Sequence, residues 1–134
     1  MSVLSSTAKK WKKITGTEIT QGYGLTETSP IVSINPINDK FNGSIGLPVP
    51  STDILIIDDS GKPLGYEEPG ELCVKGPQVM SKYWNKEDDT LSSFTKDGFF
   101  KTGDIAVINN NGVLRIVDRK TDMIISSAFN VYPT

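Results

Sequence analysis

Two hydrophobic rhythms divide the chain. In residues 2–16, SVLSSTAKKWKKITG, Leu4, Ala8 and Trp11 recur at helical spacing. Lysines crowd the end of this stretch and Gly16 supplies a stop, so a helix is predicted. Glu18–Thr20 is predicted as a short strand and Ile31–Ile34 as another, ended by Asn35-Pro36. From Gly43 onward the character is β. DILIIDD, residues 53–59, reads as a strand closed by the turn Ser60-Gly61-Lys62-Pro63. GELCVKG, residues 70–76, is a second strand between glycines. MSKYWNKEDDTLSSFT, residues 80–95, predicts a short helix with Phe94 as an anchor. IAVI and VLRIVD flank NNNG, a hairpin signal because Asn and Gly accept positive φ. After Val117 the pattern changes: DRKTDM is polar, and the short apolar IIS has no predicted partner strand. That unpaired segment suggests a chain cut from something larger.

The fold class expected is α+β and rich in strands. A small barrel or meander over residues 43–118 would be attached to an α/β element.

Composition narrows the function classes. The 134 residues are 37% hydrophobic and 22% charged, the profile of a globular domain rather than a disordered chain. A net charge of −2 does not favour a polyanion-binding surface over the whole molecule. KKWKK is read accordingly as a solvated cationic face around a buried Trp11, and no nucleic acid partner is expected. The sequence has no histidine, which removes His-based triads, metal sites and proton shuttles. Its one cysteine, Cys73, sits in an apolar strand and is expected to be buried. A single cysteine permits no internal disulfide, which fits a reducing compartment. No apolar run approaches the length of a membrane span, and the first residues lack the apolar core of a signal peptide.

Three short clusters carry chemistry. The first is QGYGLTETSP, residues 21–30. Gly22 and Gly24 allow backbone to approach a ligand closely, Tyr23 offers a flat face for a base, and the Thr26 hydroxyl can meet phosphate oxygens. Glu27 can hold Mg²⁺, which prefers oxygen ligands and phosphates. A glycine turn with a capping threonine is the plain alternative. The second cluster is Phe100-Lys101-Thr102-Gly103-Asp104, whose carboxylate at the mouth of IAVI can accept both hydrogen bonds of a ribose diol. An aspartate capping a turn is its alternative. The third is Asp118-Arg119-Lys120-Thr121-Asp122, where Arg119 offers a fixed fork to phosphate or ribose oxygens. A surface cluster of ion pairs is the alternative there. Taken in order, the three sets could serve adenine, phosphate with metal, and ribose, with a contact between domains.

YGLTE, GSIGLPVP, GELCVKGPQVM, FFKTGDIAV and IVDRKTDMI resemble, in order, the motifs of the adenylate-forming enzymes. That superfamily includes acyl-CoA synthetases, luciferases and peptide-synthetase adenylation domains. The resemblance covers nearly the whole chain and looks closest to the bacterial long-chain fatty-acid–CoA ligases. It implies the end of the large α/β domain over residues 1–42, a distorted β-barrel subdomain over 43–118, and the hinge with the start of a small C-terminal domain over 119–134. It further implies a two-step reaction. A fatty acid carboxylate attacks the α-phosphate of ATP, and the CoA thiol then displaces AMP from the acyl-adenylate. Charge neutralisation on the phosphate would matter more than a protein nucleophile. Carried over by position, Tyr23 would pack on adenine, Thr26 would meet the α-phosphate and Glu27 would hold Mg²⁺. Asp104 would bind the ribose hydroxyls and Arg119 ribose or phosphate, with Gly22 and Gly24 giving close approach to nucleotide and acyl group. Thr26 and Glu27 would be the catalytic pair, ATP or AMP with Mg²⁺ the cofactors, and CoA a substrate.

The chain also departs from the family. The hinge position falls on Thr121, where Asp or Lys is usual. Ala128 replaces the glycine of SGFNVYP and would be strained if the site needs positive φ. Ser81-Lys82 stands where a glycine precedes the tyrosine. By resemblance, the glycine-rich phosphate loop, the C-terminal catalytic lysine and most of the acyl tunnel are absent from these residues. The expectation is a fragment that is inactive alone and prone to self-association through apolar faces left uncovered. The parent would be cytoplasmic, with peripheral contact at the inner membrane left open. A non-catalytic remnant, a nucleotide-binding or interaction fragment, and an adenylating enzyme for another acid are the competing readings.

Overall fold

The computed structural model describes residues 3–37 and 39–119, with backbone alone for 124–126 and 129–131. Helix α1, Ser5–Thr15, ends where Gly16 takes φ 75° and returns its amide to the Lys12 carbonyl. Its lysines are exposed, as expected of a solvated cationic face. The expected burial of Trp11 is not found. Trp11 is 49% exposed, with Leu4 and Ile14 more so, and only Ala8 of this helix is buried. The apolar stripe at helical spacing is there, but no described layer covers it.

The strand expected at Glu18–Thr20 is not formed either. Pairing begins inside the glycine motif, at β1, Gly22–Gly24. Strand β1 pairs antiparallel with β2, Ile31–Ile34, and β2 with the two-residue β3, Leu47–Pro48. A polar knot holds this small sheet. Gln21 and Asn35 each donate a side-chain amide to the Ser44 carbonyl, at 2.9 and 2.8 Å, and the Ser44 hydroxyl donates to Asn35 Oδ1 at 2.7 Å. Asn35-Pro36 thus ends a strand as predicted and also anchors GSIG beneath the first motif.

A second sheet is an antiparallel meander of β4 (Asp53–Ile57), β5 (Gly70–Lys75), β6 (Phe100–Ile108) and β7 (Leu114–Arg119). Of the two shapes expected, barrel or meander, the described residues form the meander, and their sheet does not close. Its edge strand β7 meets the first sheet, where Leu114 bridges Gly46. Gly46 has φ 84°, and a Cβ there would lie 2.1 Å from the Ile34 carbonyl carbon, so only glycine fits. The core lies between the sheets and joins Val32, Ile45, Ile56, Leu72, Val74, Ala106 and Leu114. Strand β5 is central and buried over five successive residues, Cys73 among them.

The turns follow their chemistry. In NNNG, Asn109 Oδ1 accepts from the amides of Asn111 and Val113, and Gly112 takes the positive φ. The short helix α2, Glu87–Ser92, leads to Phe94, whose ring meets Phe100 edge-on at 5.5 Å. The apolar IIS segment does have a partner: β8, Ile124–Ser126, pairs antiparallel with β9, Phe129–Val131. The alternation there is too short to be read from sequence. Thr121 and Ala128 lie outside the described residues.

Candidate functional site

Strand β1 carries the first motif. A register shift between Tyr23 and Gly24 sends the chain from β1 into a single 3₁₀ turn, Thr26–Thr28. Thr28 is fully buried and ties the loop shut. Its hydroxyl accepts from the Leu25 amide at 2.9 Å and donates to the Pro30 carbonyl at 2.7 Å. A Cβ on Gly24 would sit 1.7 Å from that same carbonyl oxygen. The glycine therefore serves the chain's own backbone crossing. Gly22 is less constrained: a Cβ there would stand 3.0 Å from the Ser33 carbonyl oxygen. Both glycines are exposed, as is Thr26, while Glu27 is half-buried.

The second motif lies inside β6, which starts at Phe100 rather than at Ile105. Glu71 pairs with Ile105 and Cys73 with Lys101, so Leu72 alone faces Thr102, Gly103 and Asp104. Gly103 absorbs this bulge at φ 74°. The Thr102 hydroxyl donates to the Leu72 carbonyl at 2.8 Å and lies 3.2 Å from the Asp104 amide. The Gly103 amide donates to Glu71 Oε1 at 3.2 Å. The bulge aims the Asp104 carboxylate toward β1.

There the motifs meet. The Tyr23 hydroxyl donates to Asp104 Oδ2 at 2.6 Å. Arg119, the last residue of β7, pairs with Asp104 in register and brings Nε to 3.6 Å of Oδ1. Asp104 is 8% exposed, whereas Arg119 is exposed. The Tyr23 ring packs against the core cluster. Burial, and then the bond to Asp104, push its phenol well above the usual tyrosine range, so it stays a donor. Tyr23 thus reaches a carboxylate 81 residues away in sequence and shares it with Arg119. Asp118 supports the end of β7, accepting the Arg119 amide on Oδ1 at 2.7 Å.

Glu27 is held separately. Its carbonyl accepts the Met80 amide at 2.8 Å, and its Oε1 accepts the Tyr83 hydroxyl at 2.9 Å. No hydrogen bond joins Thr26 or Glu27 to Asp104 or Arg119 among the described residues. Nor do the described residues gather three or more His, Cys, Asp or Glu as a metal cluster. A lone carboxylate suits Mg²⁺ that arrives with a nucleotide, since that ion takes one or two carboxylates plus substrate phosphates. It does not suit a resident ion. Sequence reasoning named Thr28 and Thr102 only within their clusters, and it missed the bond from Tyr83 to Glu27. Thr28 and Thr102 make loop and bulge bonds that look like those of any polar threonine. Tyr83 sits 56 residues from its partner. No helix among the described residues is long and apolar enough to cross a membrane.

The two-sheet arrangement of the described residues is part of the fold of adenylate-forming enzymes. The sequence matches the family described as AMP-binding enzyme over residues 2–84, and the chain belongs to that family. The long-chain-fatty-acid–CoA ligase of Salmonella typhimurium is 54% identical over 134 residues, covering 99% of this chain and 24% of that ligase. ATP-bound MatB from Rhodopseudomonas palustris has a TM-score of 0.92 at 36% identity, covering 98% of this chain and 26% of MatB. O-succinylbenzoate coenzyme A synthetase (MenE) from Bacillus subtilis, in complex with ATP and magnesium ion, has a TM-score of 0.84 at 34% identity over 98% of this chain and 28% of MenE. The chain spans about a quarter of the length of the curated relatives it matches.

Proposed function

We propose that this chain supplies the adenine, ribose and metal-facing part of the nucleotide site in an ATP-dependent long-chain fatty-acid–CoA ligase. The meeting of Tyr23, Asp104 and Arg119 carries the reading. Tyr23 fixes one carboxylate oxygen of Asp104. The other, 3.6 Å from Arg119 Nε, is left to accept from a ribose diol. Tyr23 would also present a ring face to adenine, and Arg119 would reach ribose or phosphate oxygens. Thr26, exposed at the start of the 3₁₀ turn, would meet the α-phosphate. Glu27 would hold Mg²⁺, which when bound neutralises charge on the transferring phosphate. The fatty acid as substrate rests on the name of the Salmonella relative. MenE, with another acid in its name, keeps a second acid class as the alternative.

Residues 119–134 would be the hinge and the start of the small domain, by the family resemblance. A cytoplasmic parent, and any contact with the inner membrane, rest on that resemblance too. Alone, the 134 residues would bind nucleotide but not form acyl-CoA, because they amount to about a quarter of a relative's length. The test is calorimetric titration of AMP into the chain and its Asp104→Ala variant, beside an assay for acyl-CoA. Binding by the first, a tenfold or greater loss in the second, and no acyl-CoA from either are expected. Equal affinity in both, or turnover by the chain alone, would contradict the proposal.

A further inference from the structure

We propose that Tyr83 is a positioning residue for Glu27, holding its carboxylate in the orientation that a nucleotide-borne divalent cation requires. The inference rests on the reading of Glu27 given above and extends it to a residue outside the three motifs. Three observations support it. The Tyr83 hydroxyl donates to Glu27 Oε1 at 2.9 Å, and no described residue bonds the other oxygen. The same segment holds the Glu27 backbone, through the Met80 amide at 2.8 Å. Tyr83 is itself braced: its amide donates to Thr90 Oγ1 at 3.0 Å, and the Thr90 hydroxyl donates to the Lys86 carbonyl at 2.6 Å.

The arrangement is that of a metal ligand with an outer partner. Such partners hydrogen-bond to one atom of the ligand, leave the other for the ion and set its direction. A tyrosine is well suited to this, because a neutral donor orients a carboxylate without competing for it as a cation would. The segment carrying Tyr83 includes Ser81-Lys82, where the chain departs from the family pattern, yet the bond to Glu27 is made.

The test separates this inference from the reading beneath it. The 134-residue chain is titrated with MnATP and with metal-free ATP, and broadening of the Thr26–Thr28 amides by Mn²⁺ is followed by NMR. Wild type is expected to prefer MnATP, and Glu27→Gln to lose that preference. Tyr83→Phe is expected to lose about tenfold of it while keeping its affinity for metal-free ATP. Thr90→Val, which frees the Tyr83 amide but leaves the phenol, is expected to lose less in the same direction. It carries the test if Tyr83→Phe folds poorly. If Glu27→Gln loses the preference while Tyr83→Phe and Thr90→Val retain it, the inference is overturned and the reading of Glu27 stands. An equal loss of both ATP forms in Tyr83→Phe marks a merely structural role and also overturns it. A wild type that binds metal-loaded and metal-free ATP alike, or a Glu27→Gln variant that keeps the preference, overturns both.

Discussion

The hydroxyl of Tyr23 lies 2.6 Å from Oδ2 of Asp104. Tyr23 comes from the bulged edge of the first sheet and Asp104 from the bulge in β6 of the second. The bond is therefore a tie between sheets as well as a feature of the site. Replacing Tyr23 by Phe leaves a buried carboxylate oxygen without its donor. Such a loss costs about 1–3 kcal/mol. A lowered urea midpoint with an unchanged slope is expected of Tyr23→Phe. A midpoint equal to wild type would show that the tie carries no stability.

The same pair sets a pH dependence. The folded-state phenol of Tyr23 lies above the unfolded value of about 10. Below that pH both states hold the proton and the contribution is complete. As pH rises further, the unfolded chain releases its proton before the folded one does. Stability then falls toward the folded pKa. Unfolding at about pH 9 and about pH 11, either side of the unfolded value, should show a smaller drop in Tyr23→Phe than in wild type. Part of the drop should persist, because Tyr83 is shifted the same way. An identical drop in the two proteins would show that Tyr23 does not set it.

Gly24 offers a sharper structural test. Its Cβ position is blocked by the Pro30 carbonyl oxygen at 1.7 Å, in the backbone rather than in a flexible side chain. Gly24→Ala is expected to cost about 3 kcal/mol, at the upper end of overpacking losses. A thermal melt with no nucleotide present is the measurement. Near-wild-type stability with weakened AMP binding would instead assign the glycine to ligand approach alone.

Much of this was legible in the sequence. Gly16 as a stop, NNNG as a hairpin and Ile31–Ile34 as a strand rest on local backbone chemistry, which acts within a few residues. The three polar clusters could be named because their residue types suit a nucleotide. What could not be read was pairing between distant segments. The bulge at Thr102–Asp104 depends on Leu72 across the sheet, and the Tyr83 bond on a loop 56 residues from Glu27. Trp11 shows a different limit. Helical spacing marks an apolar stripe, but burial needs a neighbour, and periodicity says nothing about whether one is present.

That uncovered stripe leads to a prediction about association. Leu4, Trp11 and Ile14 expose apolar surface along α1. Exposed patches of this kind drive self-association. Sedimentation of the chain is expected to show concentration-dependent oligomers, and Trp11→Glu with Ile14→Glu to shift them toward monomer. A monodisperse monomer in wild type would contradict the expectation.

The central claim is that Tyr23, Asp104 and Arg119 form one face of a nucleotide site. It is tested most directly by NMR of the amide-labelled chain during titration with ATP or an acyl-adenylate analogue. Saturable shifts are expected at the Tyr23, Asp104 and Arg119 amides together, with a common affinity that Asp104→Ala weakens at least tenfold. Shifts confined to the lysines of α1, or no saturable shift at those three amides, would contradict it.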